Sequence, residues 1–150
     1  MMDNFDKKLN DDLVAEIQRQ KKTIKEIITM ASIIEKELPL YYDKRIISGI
    51  FWNRIGDNYP LQSCATIAYV LGVDKWIYST EDTKIDSLYN TYQNKGLPPG
   101  PINNPGILSI QAAIYPIDTD YYFFLSAPSG ETIYSKDYEE HLANKAKYLK

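Results

Sequence analysis

The segment from Thr23 to Pro39 constrains this chain more than any other. Thr23-Ile24-Lys25-Glu26 has the spacing of a capping box, in which a hydroxyl and a carboxylate satisfy two orphan N–H groups at a helix start. Pro39 stops the helix, because the residue before a proline avoids the helical region, so the pattern predicts a helix from Thr23 to about Leu38. On a wheel of about 100° per residue with Ile24 at zero, Ile28 falls at about +40°, Ala31 at about −20° and Leu38 at about −40°. Glu35 falls at about +20°, in the middle of that apolar stripe, whereas Lys36 and Glu37 fall at about +120° and −140°, at or beyond its edges. Desolvation penalises a charged carboxylate, so the pKa of Glu35 is expected to rise toward the range of a general acid. Two readings follow: a functional acid, or a structural carboxylate paired with a buried cation. Arg45 and Arg54 are the candidate partners for the second.

The chain has 150 residues, 44% hydrophobic, which is enough for one cored domain and too short for two. Its 20 acidic and 17 basic side chains give a net charge of −3 with no basic tail, which disfavours a nucleic-acid binder. A single cysteine, Cys64, excludes an intrachain disulfide. With one histidine, His141, beside it, a Cys/His metal site lacks ligands, and no cofactor is expected. Cys64 and His141 as a nucleophile–base pair is a weaker reading than a buried thiol and a surface-helix histidine. The run Ile27–Ile34, broken by Thr29 and Ser32, is far below the roughly 20 residues of a membrane span. The N-terminus lacks the apolar stretch of a signal peptide, so the expectation is a soluble domain. Its 13 Tyr, 2 Trp and 4 Phe suit half-buried packing or a cleft for carbohydrate or peptide.

Leu9 to Gln20 reads as a short amphipathic helix through Leu9, Leu13 and Ile17, making residues 1–22 a helical lead-in. Asp43 to Ile55 reads as a third helix, and Thr66 to Leu71 as a brief one ended by Gly72. Val73 to Gly106 is irregular and contains Gly96-Leu97-Pro98-Pro99-Gly100-Pro101, whose prolines remove the N–H donors of a phosphate loop. That series makes a stiff groove wall or a rigid connector. Asn104 before Pro105 predicts an N-cap and a helix through about Ile114. Tyr121–Leu125 and Thr132–Tyr134, about the turn Pro128-Ser129-Gly130, predict a hairpin, and Lys136–Leu149 a last helix. The expected fold is α+β, a helix-led single domain over residues 1–150 with a small antiparallel sheet near the C-terminus and a cleft lined by loops.

Met30-Ala31-Ser32-Ile33-Ile34-Glu35-Lys36-Glu37, Asn53-Arg54, Leu61-Gln62-Ser63, Tyr89-Asn90-Thr91-Tyr92, Gly96–Ile102 and Asn104-Pro105-Gly106 occur in that order. This series resembles the MltG/YceG-like family of endolytic murein transglycosylases from about Thr23 to the C-terminus. The resemblance implies a lytic enzyme that cuts within peptidoglycan glycan strands. It implies a catalytic domain excised from a longer protein, held at the cytoplasmic membrane with this domain on its outer face. Membrane contact would come only through a segment absent from this chain. The resemblance implies that Glu35, the first Glu of Glu-Lys-Glu, is the catalytic acid, with Glu37 supporting it. It suggests Gln62, Ser63, Asn90, Tyr92, Gly96, Leu97 and Asn104 for substrate binding, and cell-wall synthesis proteins as further partners. After Leu61-Gln62-Ser63 the family usually reads Asp-Pro-Thr, where this chain has Cys64-Ala65-Thr66. Ser63 can cap the following helix in place of the Asp, so Cys64 is expected to be partly buried and unreactive.

The mechanism implied needs one carboxyl: it protonates the bond between N-acetylmuramic acid and N-acetylglucosamine, then takes the proton from the sugar's own C6 hydroxyl, closing a 1,6-anhydro ring. No water attacks, so the second carboxylate of the usual glycosidase pair is dispensable. The alternative is a non-catalytic peptidoglycan-binding or cell-wall scaffold module. Glu35 is expected to line a cleft walled by Gly96–Pro101.

Overall fold

A computed structural model of the protein describes residues 10–73, 75 and 78–149. Among them the chain forms α1 (Asp11–Arg19), α2 (Ile24–Glu35), α3 (Tyr41–Gly56) and α4 (Cys64–Leu71), then a 3-10 turn at Asp82–Lys84. After α5 (Ile107–Ile114) come strands β1 (Phe123–Ser126) and β2 (Thr132–Ser135), and finally α6 (Tyr138–Tyr148). The fold is the expected α+β, helix-led single domain with a two-stranded antiparallel sheet. No helix of the described residues is long and apolar enough to cross a membrane.

α2 is the axis of the core. Its capping box forms as the sequence requires: the Thr23 hydroxyl accepts from the Glu26 N–H, and the Glu26 carboxylate accepts from the Thr23 N–H, both at 3.0 Å. Every residue from Ile27 to Ile34 is buried, so the helix is enclosed on all sides rather than along one stripe. Ile24, the reference of the predicted stripe, is 45% exposed. The helix also ends at Glu35, three residues before the predicted Leu38. Its last turn tightens, with the Lys36 N–H donating to the Ile33 carbonyl and the Glu37 N–H to that of Ile34. Glu37 therefore lies beyond the helical wheel, and its predicted direction does not hold.

α5 packs along α2 and against α3, while α1 covers one end through Leu13 and Ile17. Leu9 lies outside the described residues; Asn10 caps α1 by accepting from the Leu13 N–H. α3 begins two residues before the predicted Asp43 and ends one after Ile55. Within it, Gly49 is required, because a Cβ there would collide with the Ile117 carbonyl. α4 starts at Cys64, two residues earlier than predicted, since Ser63 is its N-cap, and it stops at Gly72 in the left-handed region (φ 74°). α5 starts at Ile107 with Gly106 as N-cap, not at the predicted Asn104-Pro105. The hairpin pairs Phe123 with Ser135 and Leu125 with Ile133, and α6, capped by Asp137, packs on both strands.

Candidate active site

Three segments converge at the C-terminal end of α2: the N-terminus of α5, the Leu61–Cys64 turn and the Asn90–Tyr92 loop. They treat the two glutamates of Glu35-Lys36-Glu37 in opposite ways.

Glu35 closes the N-terminus of α5. Its Oε1 accepts from the Gly106 N–H at 2.6 Å, and its Oε2 from the Ser109 hydroxyl at 3.1 Å and from Lys44 Nζ at 3.3 Å. A carboxylate is a good acceptor there, where orphan N–H groups and the helix dipole favour negative charge. This is why Gly106 rather than Asn104 begins the helix. The Glu35 side chain is 34% exposed, and that of Lys44 only 4%. Burial pushes the Glu35 carboxyl up, but the Gly106 N–H, the Lys44 charge and the Ser109 hydroxyl outweigh it, and the net direction is down. The expected upward shift is thus reversed, and the cation beside it is Lys44. The predicted partners are engaged elsewhere: Arg45 Nε donates to the Tyr115 carbonyl, and the buried Arg54 donates to the carbonyls of Leu61 (2.6 Å) and Tyr122 (2.7 Å).

Glu37 has the opposite surroundings. Its Oε1 accepts from the Ser63 hydroxyl at 2.8 Å, and no ion pair touches it among the described residues. Burial pushes its carboxyl up, opposed by the Ser63 hydrogen bond and the charge of Arg54, and the net direction is up. The two carboxyls are thus shifted in opposite directions, Glu37 up and Glu35 down.

Gln62 and Tyr92 come to the same place. Gln62 has a left-handed backbone (φ 54°), a conformation that costs a non-glycine residue roughly 1–3 kcal/mol and gathers at functional sites. Its N–H is held by the Thr91 carbonyl at 3.2 Å, and its side chain is exposed. The Tyr92 hydroxyl lies 3.2 Å from Cys64 Sγ. Cys64 is exposed, not partly buried as expected, because α4 begins with it and turns its side chain outward; burial of the sulfur still pushes the thiol pKa up.

The remaining predicted binding residues are elsewhere employed. Ser63 is 2% exposed, with its hydroxyl spent on Glu37 and the Ala65 N–H. Asn90 is fully buried: its amide donates to the Thr83 and Ile85 carbonyls and accepts from the Tyr92 N–H, so it shapes the loop and cannot meet a ligand. Gly96 makes a left-handed turn (φ 81°), and Leu97 packs against the core. The Gly96–Pro101 series is therefore a connector pressed onto the core, and it does not wall the pocket of Glu35. Asn104 is exposed and lines none of the cavities around the glutamates.

Glu37 borders three open cavities. One of about 630 Å³ runs past Gln62, Tyr92, Phe123, Tyr138 and His141. One of about 340 Å³ lies on the other side of Cys64, along Ala65, Tyr69 and Ile102. The third, about 600 Å³, holds Glu35, Lys44 and Gly106. Phe123, Tyr138 and Lys44 went unnoticed in the sequence, and His141 was weighed only beside Cys64, because no local spacing ties them to the glutamates.

The fold is thus a helix-cored α+β domain in which two glutamates, one paired with an ammonium and one not, border open, partly aromatic-lined cavities. The particular family follows from comparison: the YceG-like family profile matches residues 1–147, and the chain belongs to that family. It is 41% identical over 135 residues to the endolytic murein transglycosylase of Bacillus subtilis (strain 168), covering 90% of this chain and 38% of that protein. It is 36% identical over 139 residues to the endolytic murein transglycosylase of Streptococcus pneumoniae (strain D39), covering 89% and 25%. A crystal structure of a YceG-like protein from Listeria monocytogenes superposes with a TM-score of 0.84 at 41% identity, covering 89% of this chain and 44% of that one. The chain thus spans well under half the length of these relatives.

Proposed function

We propose that this domain cleaves peptidoglycan glycan strands internally as a lytic transglycosylase, with Glu37 as its acid and base. The observation that carries the reading is the contrast between the two glutamates. Glu35 is held as a carboxylate by an ammonium, a backbone N–H and a hydroxyl, and is a poor proton donor. Glu37, whose charged form is disfavoured by burial, meets two grooves that together could seat a strand on both sides of the scissile bond. This moves the acid from Glu35, which the family resemblance suggested, to the second glutamate of the motif.

In the reaction, the Glu37 carboxyl gives its proton to the glycosidic oxygen as the bond to C1 breaks and positive charge develops there. The resulting carboxylate takes the C6 hydroxyl proton while that oxygen bonds C1, leaving a 1,6-anhydro end and a protonated Glu37 ready for another turn. The Ser63 hydroxyl keeps its hydrogen bond to Oε1 and stabilises the anionic stage. Gln62 and Tyr92 hold N-acetyl and hydroxyl groups, and such positioning can supply several kcal/mol of the barrier reduction. The whole protein works at the outer face of the cytoplasmic membrane, as MltG-type enzymes do, beside the proteins that build the wall.

Incubation with peptidoglycan followed by mass spectrometry tests the reading. The wild-type domain yields 1,6-anhydro ends, and Glu37→Gln, near-isosteric but unable to pass a proton, yields none while remaining folded. Wild-type yield from Glu37→Gln overturns the assignment.

A further inference from the structure

The groove that runs from Glu37 past Tyr92 is bounded on its other side by α6, whose Tyr138, His141 and Lys145 stand on one helical face. Two of these are fixed by ring contacts: His141 stacks on Phe123 at 5.0 Å with planes 20° apart, and Tyr138 lies 5.7 Å from the same ring. His141 Nδ1 is shielded from solvent and has no hydrogen-bond partner among the described residues. Lys145 is exposed and forms no ion pair among them. The other charges facing this groove are already committed, Arg54 to the Leu61 and Tyr122 carbonyls and Glu37 to Ser63. α6 therefore offers the groove a free ammonium and a rigid imidazole, which can meet a ligand only through Nε2 because Nδ1 is shielded.

We propose that His141 and Lys145 form a subsite for a carboxylate carried by the strand, so that α6 selects acidic, peptide-bearing glycan over neutral glycan. This rests on the reading of the groove as a glycan site and adds its charge preference. Burial, the Lys145 charge and the Arg54 charge all hold the His141 pKa below its ordinary value. A seated carboxylate opposes both charges, so occupancy moves that pKa upward.

His141 is the only histidine of the chain, so its imidazole can be followed by NMR without ambiguity. The domain is titrated with a short glucosaminyl-muramyl peptide bearing free carboxylates, and with the same fragment amidated. The acidic fragment is expected to raise the His141 pKa and to bind about three- to fivefold more tightly, the worth of an exposed ion pair. Lys145→Gln should remove that preference while leaving affinity for the amidated fragment unchanged. Equal affinities with an unmoved His141, equal loss of both fragments in Lys145→Gln, or binding of neither overturns the proposal. Formation of anhydro ends is scored separately: ends without a charge preference defeat the subsite alone, and a charge preference without ends defeats the enzymatic reading alone.

Discussion

Glu35→Gln separates a carboxylate that builds the site from one that does its chemistry. Gln keeps an oxygen for the Gly106 N–H but removes the charge, leaving the Lys44 ammonium, 4% exposed, without its counter-ion. Stripping one partner from a buried pair costs about 3–5 kcal/mol, whereas an exposed pair is worth about 0–1. Because 34% of the Glu35 side chain is open to water, the cost is discounted to about 2 kcal/mol. For a domain of this size that lowers Tm by roughly 4–8 °C. Lys44→Met added to Glu35→Gln removes the orphaned charge and should recover about half the loss, visible as non-additivity in urea unfolding. The lowered pKa of Glu35 means that its contribution is present above the ordinary carboxylate range and is lost as pH falls through the folded value, so the two curves converge in acid. Below its Tm the variant still forms anhydro ends. A Glu35→Gln protein with wild-type Tm and no anhydro ends would refute this reasoning and return the acid to Glu35.

Glu37 has the reverse linkage: its raised pKa means that stability falls as pH rises from the ordinary glutamate range through the folded value, so Glu37→Gln melts at or above wild type at pH 7 and level with it near pH 4, by calorimetry at both. Cys64→Asp should change the rate of anhydro-end formation by less than about tenfold, or 1.4 kcal/mol of barrier, because Ser63 already caps α4; a larger gain would give the residue a catalytic part. Asn90→Ala should cost about 3 kcal/mol in urea unfolding, having lost three buried hydrogen bonds, with KM unchanged wherever the variant is folded.

What was legible in the sequence was local. The Thr23–Glu26 box, the Ser63 cap, the Gly72 stop and the aromatic hairpin each depend on residues within a few positions of one another, and each stands where its spacing put it. The end of α2 was not legible, because a donor 71 residues away, the Gly106 N–H, decides what Glu35 does. A wheel extended to Leu38 therefore aimed Glu37 away from the site it borders. Asn90 and Leu97 misled for a related reason. An Asn and a Leu in an irregular stretch carry no periodicity, so nothing in their spacing tells a ligand contact from a carbonyl bond or a core contact.

The burial of α2 on every side has a kinetic consequence. Its cover includes Ile102 and Asn103, bonded to Ser32 across 70 and 71 positions, and Ser109, bonded to Glu35 across 74. Contacts so distant must repay the closure of a long loop before they stabilise anything, which places the barrier late and slows folding relative to a bundle of neighbouring helices. Until α5 arrives, an emerging chain presents the Ile27–Ile34 surface to solvent. Interruption of synthesis between Leu38 and Ile107 should thus leave a species that aggregates, whereas interruption after Ile114 should not.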